Sequence, residues 1–305
     1  MDIHDFDFQI QTTASDGKQA PSECVRMAKE NGCRVIAITD HDTVAGVREA
    51  LQAGRELGID VIPGIELSVE DNQIHLLGLG VDPGNPELLV ATGEFAVSRE
   101  LRAKEMVRRF AADGFVVSWE NVMSEAKGAV VARPHIVDAI LKRSENQKRL
   151  GGVSTKMEFF QKFFSDGSPY YVEHANISAR DAIGLVRRAG GIAVWSHPPV
   201  PSFLEDCRGL EDFLKELIQY GLDGIEALGP SLTESMTCCL DTLASRYHLI
   251  RTGGSDFHEQ QAPTKKAWPR SAVTIGEFPT YGFATVGIPE GVLRAIDDRH
   301  RTPSD

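Results

Sequence analysis

No apolar run in the 305 residues is long enough to span a bilayer, so a membrane-embedded role is not expected. Residues 1–11 carry Asp2, Asp5 and Asp7 but no lysine or arginine. A secretory leader needs a basic start and an apolar core, so the cytoplasm is the expected location. Cysteine is sparse: Cys24, Cys33, Cys207, Cys238 and Cys239. The odd count, without paired zinc-ligand spacing, argues against a disulfide framework or a thiolate metal site. The adjacent Cys238 and Cys239 are expected to pack on a helix as small apolar residues. Basic charge is also short, with 32 Lys and Arg against 44 Asp and Glu, a net charge of -12. That balance opposes binding to duplex nucleic acid, which requires many phosphates to be neutralised. A small phosphorylated substrate stays open, because bound divalent cations reverse the local field of a carboxylate cluster.

The length suits one large domain, or one domain with an insertion. Hydrophobic content of 42% and charged content of 25% are ordinary for a globular chain. Internal repeats and low-complexity tracts are lacking. Residues 6–11 alternate and are β-compatible, residues 21–31 have helical spacing ending at Gly32, and residues 34–39, RVIAIT, form a short apolar run typical of a buried parallel strand. A second helix is predicted over 44–57, stopped by Gly58, with further strands at 59–63 and 74–79. Such alternation predicts right-handed βαβ units in a parallel sheet or barrel. Residues 96–164 differ: they are charged and helical, and are expected to form a helical insertion over the strand ends. The βα pattern resumes near Ala179, and residues 299–305 read as a polar, frayed tail.

Polar residues gather at the predicted strand ends. Asp40, His41 and Asp42 follow RVIAIT, Glu66 follows DVIPGI, His197 follows GIAVWS, and Asp256 and His258 follow HLIRTGGS. The carboxyl ends of parallel strands share one face, where barrel active sites lie. Histidine and carboxylate without cysteine suits zinc, manganese or iron(II). Several histidines with a bridging carboxylate favour two or three ions, which hold a phosphate, activate a water and stabilise the leaving oxygen. Each residue also has a plainer explanation. Asp42 is expected to cap the following helix, and Ser255 with Asp256 has the composition of a turn. The placement of His41, Glu66, His197, Asp256 and His258 on one face is what favours a site.

The motif order D-x-Q-x-Q-T-T-A-S-D-G, TDHDT, PGIE, HLLGLG, HP and GGSDFH resembles the polymerase-and-histidinol-phosphatase (PHP) family over residues 7–258. The spellings AITDHDT, GLGVD and TGGSDFH are most similar to the branch acting on small nucleotides and RNA ends. The resemblance implies a distorted (βα)7-type barrel with a three-metal site. By position, Asp16, His41 and His258 would hold one ion, and Glu66, His75 and His197 a second. Glu66 would bridge to a third ion shared with Asp256. Catalysis would fall to a metal-bound water, with no side chain assigned as catalytic. One departure is marked: Gln9 and Gln11 stand where the family pattern has two histidines. A neutral amide oxygen is a weaker ligand than imidazole for transition metals, so the third ion is expected to bind weakly, to be replaced by a harder ion, or to be absent. GIEALGPSLT similarly lacks a histidine near Leu232.

Within 96–164, ARPHIVDAILKR places Arg133 before a proline, which disfavours helix at that residue and projects it from a helix start. The nucleotide branch carries a similar R-P-H segment, and Arg133 with His135 is expected to contact substrate phosphate. Lys265, Lys266 and Arg270 are a second basic group that fits either phosphate contact or a solvated loop. Hydrolysis of a phosphate ester in a small nucleotide, such as a nucleoside 3′,5′-bisphosphate, or in a short RNA end is the leading expectation. The alternatives are a catalytically weakened barrel that binds a nucleotide or partner, motivated by Gln9 and Gln11, and a histidinol-phosphate phosphatase, against which the R-P-H insertion speaks.

Overall fold

The computed structural model describes residues 2–69, 74–128, 131–165, 167–172, 177–198, 208–260 and 274–301. Lys265, Lys266 and Arg270 lie outside them. The chain divides into two compact units, Met1–Thr92 with Ile177–Asp305, and Gly93–Asn176.

The first unit is built on a seven-stranded sheet ordered as the chain runs: β2 (Phe6–Asp7), β3 (Val35–Ile38), β4 (Asp60–Ser68), β5 (His75–Leu79), β6 (Ile192–Ser196), β7 (Gly224–Leu228) and β8 (Ile250–Gly253). The sheet nearly closes. Beyond β2 and β8, Ile10 bridges Phe257 in parallel, and Gln11 N–H donates to Phe257 O at 2.8 Å. A separate short ribbon pairs β1 (Asp2–Ile3) with β9 (Glu277–Phe278). Four buried residues in β3 show why the strand forms. Val35 and Ala37 face Phe6, Phe8, Ile62, Leu77 and Val194 inside the barrel. Ile36 and Ile38 face Cys24, Val25, Ala50 and Ala53 on α1 (Pro21–Glu30) and α2 (Val47–Leu57). A strand buried on both faces reads as continuous apolar sequence. Helices α8 (Ala179–Arg188), α9 (Arg208–Tyr220) and α10 (Glu234–Arg246) follow the same βα alternation.

The expectation of uniformly parallel strands is corrected at β5, which runs antiparallel to both β4 and β6. The predicted strand 59–63 is also longer. Pairing with β5 carries β4 through to Ser68, so Glu66 lies within the strand, opposite Leu77, rather than after it. Asp42 is not a helix cap: α2 begins at Val47 with Gly46 as its N-cap residue, and Asp42 Oδ1 instead accepts from Ser68 N–H at 2.8 Å. At the chain end, α11 (Ile288–Arg301) stays helical through 299–301 because Arg299 pairs with Asp223. Its Ile296 packs on Gly80, at the opposite end of β5 from His75. Both Cys238 and Cys239 lie on α10 as expected, Cys239 packed in the core and Cys238 exposed and free, but Cys239 is disulfide-bonded, which corrects the expectation that the cysteines form no disulfide.

The second unit is helical. The later part of α3 (Pro86–Ala112) is followed by α4 (Trp119–Ala126), α5 (Arg133–Leu141), α6 (Gln147–Leu150) and α7 (Lys156–Phe163). Its core is aromatic: Phe110, Phe115, Phe159, Phe163 and Phe164 pack together, and Tyr170 stacks on Phe110 at 4.1 Å. Arg109 donates to the carbonyls of Pro169 and Tyr171, and Arg102 to that of Val172. Those contacts extend the compact unit beyond residue 164. Among the described residues, no helix is long and apolar enough to cross a membrane.

Candidate metal centre

The carboxyl-end rim of the barrel gathers Asp16, His41, Glu66, His75, His197, Asp256 and His258. His75 reaches it through the reversed strand. Because β5 is antiparallel, its first residue pairs with Ser68 at the end of β4 and Ser196 at the end of β6. A ligand at the start of one strand thereby joins ligands at the ends of its neighbours.

Glu66 is the hub and is fully buried. Its Oε1 lies 2.7 Å from His75 Nδ1 and 3.0 Å from His197 Nε2; its Oε2 lies 3.6 Å from His41 Nδ1. On the other side of His41, His258 Nε2 is 3.6 Å from Asp16 Oδ1. His258 Nδ1 donates to the Asp256 carbonyl at 2.8 Å, so in the neutral ring Nε2 is the nitrogen that carries the lone pair. Two sets of donors have ligand atoms all within 4.8 Å of one another: Asp16, His41 and His258, and His41, Glu66 and His75. These mixed nitrogen–oxygen sets are suited to divalent metal ions. His197, against both Glu66 and His75, adjoins the second set.

The field of the rim favours positive charge. Burial works against protonated His197, but the hydrogen bond and charge of Glu66, with Asp256 and Glu226, outweigh it and raise the pKa to about 9. For His258 burial is likewise overcome, by Asp16 and Asp256, again to about 9. Burial pushes Glu66 up, but the charges of His41 and His75 and the hydrogen bonds from His197 and His75 hold it well below the usual range. Asp256 rises to about 6 by burial, opposed by His258 and His197.

Gln9 and Gln11 both point into this region and are fully buried. Gln11 Nε2 donates to Glu66 Oε2 at 2.5 Å, and Gln9 Nε2 donates to Ser196 Oγ at 2.9 Å. The loop carrying Asp16 is held by Asp40, whose carboxylate accepts from Thr12 N–H, Thr12 Oγ1 and Ser15 Oγ at 2.7–2.8 Å. Gly17 turns that loop so tightly that a Cβ there would lie 2.3 Å from Gln11 O. Three non-glycine residues on the rim hold left-handed backbone: Asp42 (φ 53), His197 (φ 28) and Asp256 (φ 50).

Three supporting residues were not singled out in the sequence. Asp7 is buried, and accepts backbone N–H groups from Gln9, Ser255 and Gly276 at 2.8–3.2 Å. Ser196 receives Gln9. Glu226, raised to about 8 by burial with His197 opposing, accepts from His197 N–H at 2.6 Å. A charged residue in the apolar run of β7 was the available signal for Glu226. Leu232, where a histidine was expected, is buried, and its carbonyl accepts from Tyr281.

In the second unit, Arg133 opens α5 and lies over Phe160 and Tyr171, 5.8 and 6.0 Å from the ring centroids. His135 is buried, and its Nδ1 accepts from Ala132 N–H at 3.0 Å, closing the first turn of the helix.

A PHP domain model matches residues 7–173. A phosphoribosyl 1,2-cyclic phosphate 1,2-diphosphodiesterase from Eggerthella lenta is 30% identical over 258 residues, covering 83% of this chain and 93% of the relative. A 3′,5′-nucleoside bisphosphate phosphatase from Chromobacterium violaceum is 29% identical, covering 83% of this chain and 86% of the relative. Among solved structures, a candidate metal-dependent phosphoesterase from Bifidobacterium adolescentis superposes with a TM-score of 0.78 at 30% identity, covering 96% of each chain.

Proposed function

The chain belongs to the PHP-domain family, and from that premise we propose that it hydrolyses a phosphate ester in a small nucleotide, such as a nucleoside 3′,5′-bisphosphate, or at a short RNA end. The observation that carries the reading is the convergence of Asp16, His41 and His258 with Glu66 and His75 at one rim. Asp16, His41 and His258 would hold one divalent ion; Glu66, His75 and His197 would hold another, of manganese, iron or zinc. When bound, such ions polarise the phosphoryl oxygen and lower the pKa of water near it. The chain's own residues set the geometry. Glu66 aligns His75 and His197, Asp40 fixes the loop bearing Asp16, and Glu226 fixes the backbone of His197. Arg133 is proposed to bind a non-reacting phosphate through its planar guanidinium. His135 would support it by holding the turn that presents it.

A second reading, a barrel that binds a nucleotide without turnover, is favoured by one observation, the Gln11 amide bonded to Glu66. Phosphate release decides between the two. Chelated protein resupplied with manganese is offered adenosine 3′,5′-bisphosphate and a 5′-phosphorylated oligoribonucleotide. Metal-dependent release from either supports hydrolysis. Nucleotide binding by the metal-loaded protein without release supports the second reading, and neither binding nor release overturns both.

A further inference from the structure

We infer that the Gln11 amide occupies the place of the third ion in the resembled centre, so that this chain builds a two-ion centre in which a side-chain N–H, not a cation, holds the second oxygen of Glu66. The inference rests on the metal-centre reading above and says how that centre is built. Glu66 Oε1 is taken by His75 and His197, and Gln11 Nε2 lies 2.5 Å from Oε2. An ionised carboxylate only accepts hydrogen bonds. The amide group facing it must therefore be the NH2 end, since the opposite orientation would press two oxygens together at that distance. The Gln11 oxygen is turned to Ser15, whose hydroxyl lies 3.3 Å away. It is thus directed away from any ion that would share Glu66 Oε2.

Gln9 does not make good the loss. Its amide nitrogen is committed to Ser196, and its Oε1, buried and without a hydrogen-bond partner among the described residues, is one neutral oxygen in place of an imidazole. That leaves Asp256 and Glu66 as the charged donors expected for a third ion, and the Glu66 oxygen free of His75 and His197 is already held by Gln11. The residues present therefore do not fit a third ion. They do fit a neutral substitute for part of its work. A cation at that place would orient Glu66 by charge; Gln11 orients it by a hydrogen bond that needs no metal. The two glutamines thus have different tasks, Gln11 on the hub carboxylate and Gln9 on the end of β6.

The test counts ions. Metal-free protein is titrated with manganese, desalted and analysed by plasma mass spectrometry, beside Gln9→His/Gln11→His and Gln11→Met. The expected result is two ions per chain for the unaltered protein and three for the double variant. Gln11→Met should keep two, with about tenfold weaker affinity for the more weakly bound ion, because Glu66 loses its donor. Three ions in the unaltered protein would falsify the inference while leaving the phosphoesterase reading intact. A folded double variant that still holds two, or a Gln11→Met variant of unaltered affinity, also overturns it. Uptake of no ion by the unaltered protein sinks the metal-centre reading and the inference together. If the double variant does not fold, Gln11→His alone is measured, with the same requirement of a third ion.

Discussion

Metal uptake by this rim should release protons, and the pH dependence follows from two histidines. In the metal-free chain His197 and His258 both stand at about 9. At about pH 7.5 each is more than nine-tenths protonated, because a gap of about 1.5 pKa units is roughly a thirtyfold ratio. Each lies against a different donor set, so filling both sets should displace about two protons in total. The sign is fixed by the direction of the shift. Protons compete with ions below about 9, so apparent affinity rises with pH and levels off above that value. One displaced proton per ion makes the slope about tenfold per pH unit, or about 1.4 kcal/mol. Between about pH 6 and pH 8 each ion should gain roughly 100-fold in affinity. The same shifts govern folding. A histidine raised above its ordinary 6.5 stabilises the metal-free fold fully below that value, and the contribution is lost as pH rises through about 9. Glu226, raised to about 8, acts in the same direction, because ionising it while buried is unfavourable, whereas the corresponding loss at Asp256, raised to about 6, is already complete below this range. Metal-free protein should therefore melt lower as pH rises from about 6.5 to 9, while the metal-induced gain in melting temperature grows. Calorimetric titration with manganese in two buffers of different ionisation enthalpy counts the protons. Full metal uptake with no proton release near pH 7, or an affinity flat between pH 6 and pH 8, would refute the reasoning.

Two further outcomes are expected. Gly17→Ala drives a Cβ to 2.3 Å from Gln11 O, so the loop bearing Asp16 must shift; metal analysis should show loss of the ion held by Asp16, His41 and His258, with the ion at Glu66, His75 and His197 retained. Arg133→Ala should raise KM for a phosphorylated substrate more than it lowers kcat, by about 10- to 100-fold for one charge-assisted hydrogen bond of roughly 1.5–3 kcal/mol; steady-state kinetics with both parameters unchanged would remove Arg133 from the site.

Much of the barrel is legible because burial on both faces leaves continuous apolar runs, as in β3 and β6, each closed by a polar residue at the rim. The direction of β5 is not. Its sequence, HLLGL, reads the same whichever way the strand runs, and only its pairing with Ser68 and Ser196 puts His75 among the ligands. Glu66 stands out as a candidate ligand in the sequence even though the strand containing it runs further than its apolar run suggests. The cue is a carboxylate directly after the apolar run DVIPGI, while the boundary depends on pairing with β5, whose direction the sequence does not show. The same cue was present at Glu226 and Asp7, but a carboxylate that accepts backbone N–H groups looks no different in sequence from one that binds an ion. His135 shows the reverse. A histidine beside an arginine suggests a ligand contact, and the fold spends its Nδ1 on the backbone of Ala132. Spacing marks the glutamines only as weakened ligands; that Gln11 turns its nitrogen to Glu66 depends on a distance that spacing does not encode.

The left-handed residues on the rim bear on how this protein would respond to selection. Asp42, His197 and Asp256 hold a backbone conformation that costs a side-chain-bearing residue about 1 kcal/mol or more and glycine little. At Asp42 and His197 the side chain offsets that cost through Ser68 and Glu66, but Asp256 is also a carboxylate that burial disfavours, so Asp256→Gly would relax the metal-free fold while removing a side chain that serves the rim. A library sorted for thermal tolerance without metal would enrich that change, and heat-resistant descendants would be ones that had given up a rim carboxylate. Sorting in the presence of saturating manganese reverses the ranking, because the ion then rewards the side chain and the left-handed backbone that presents it.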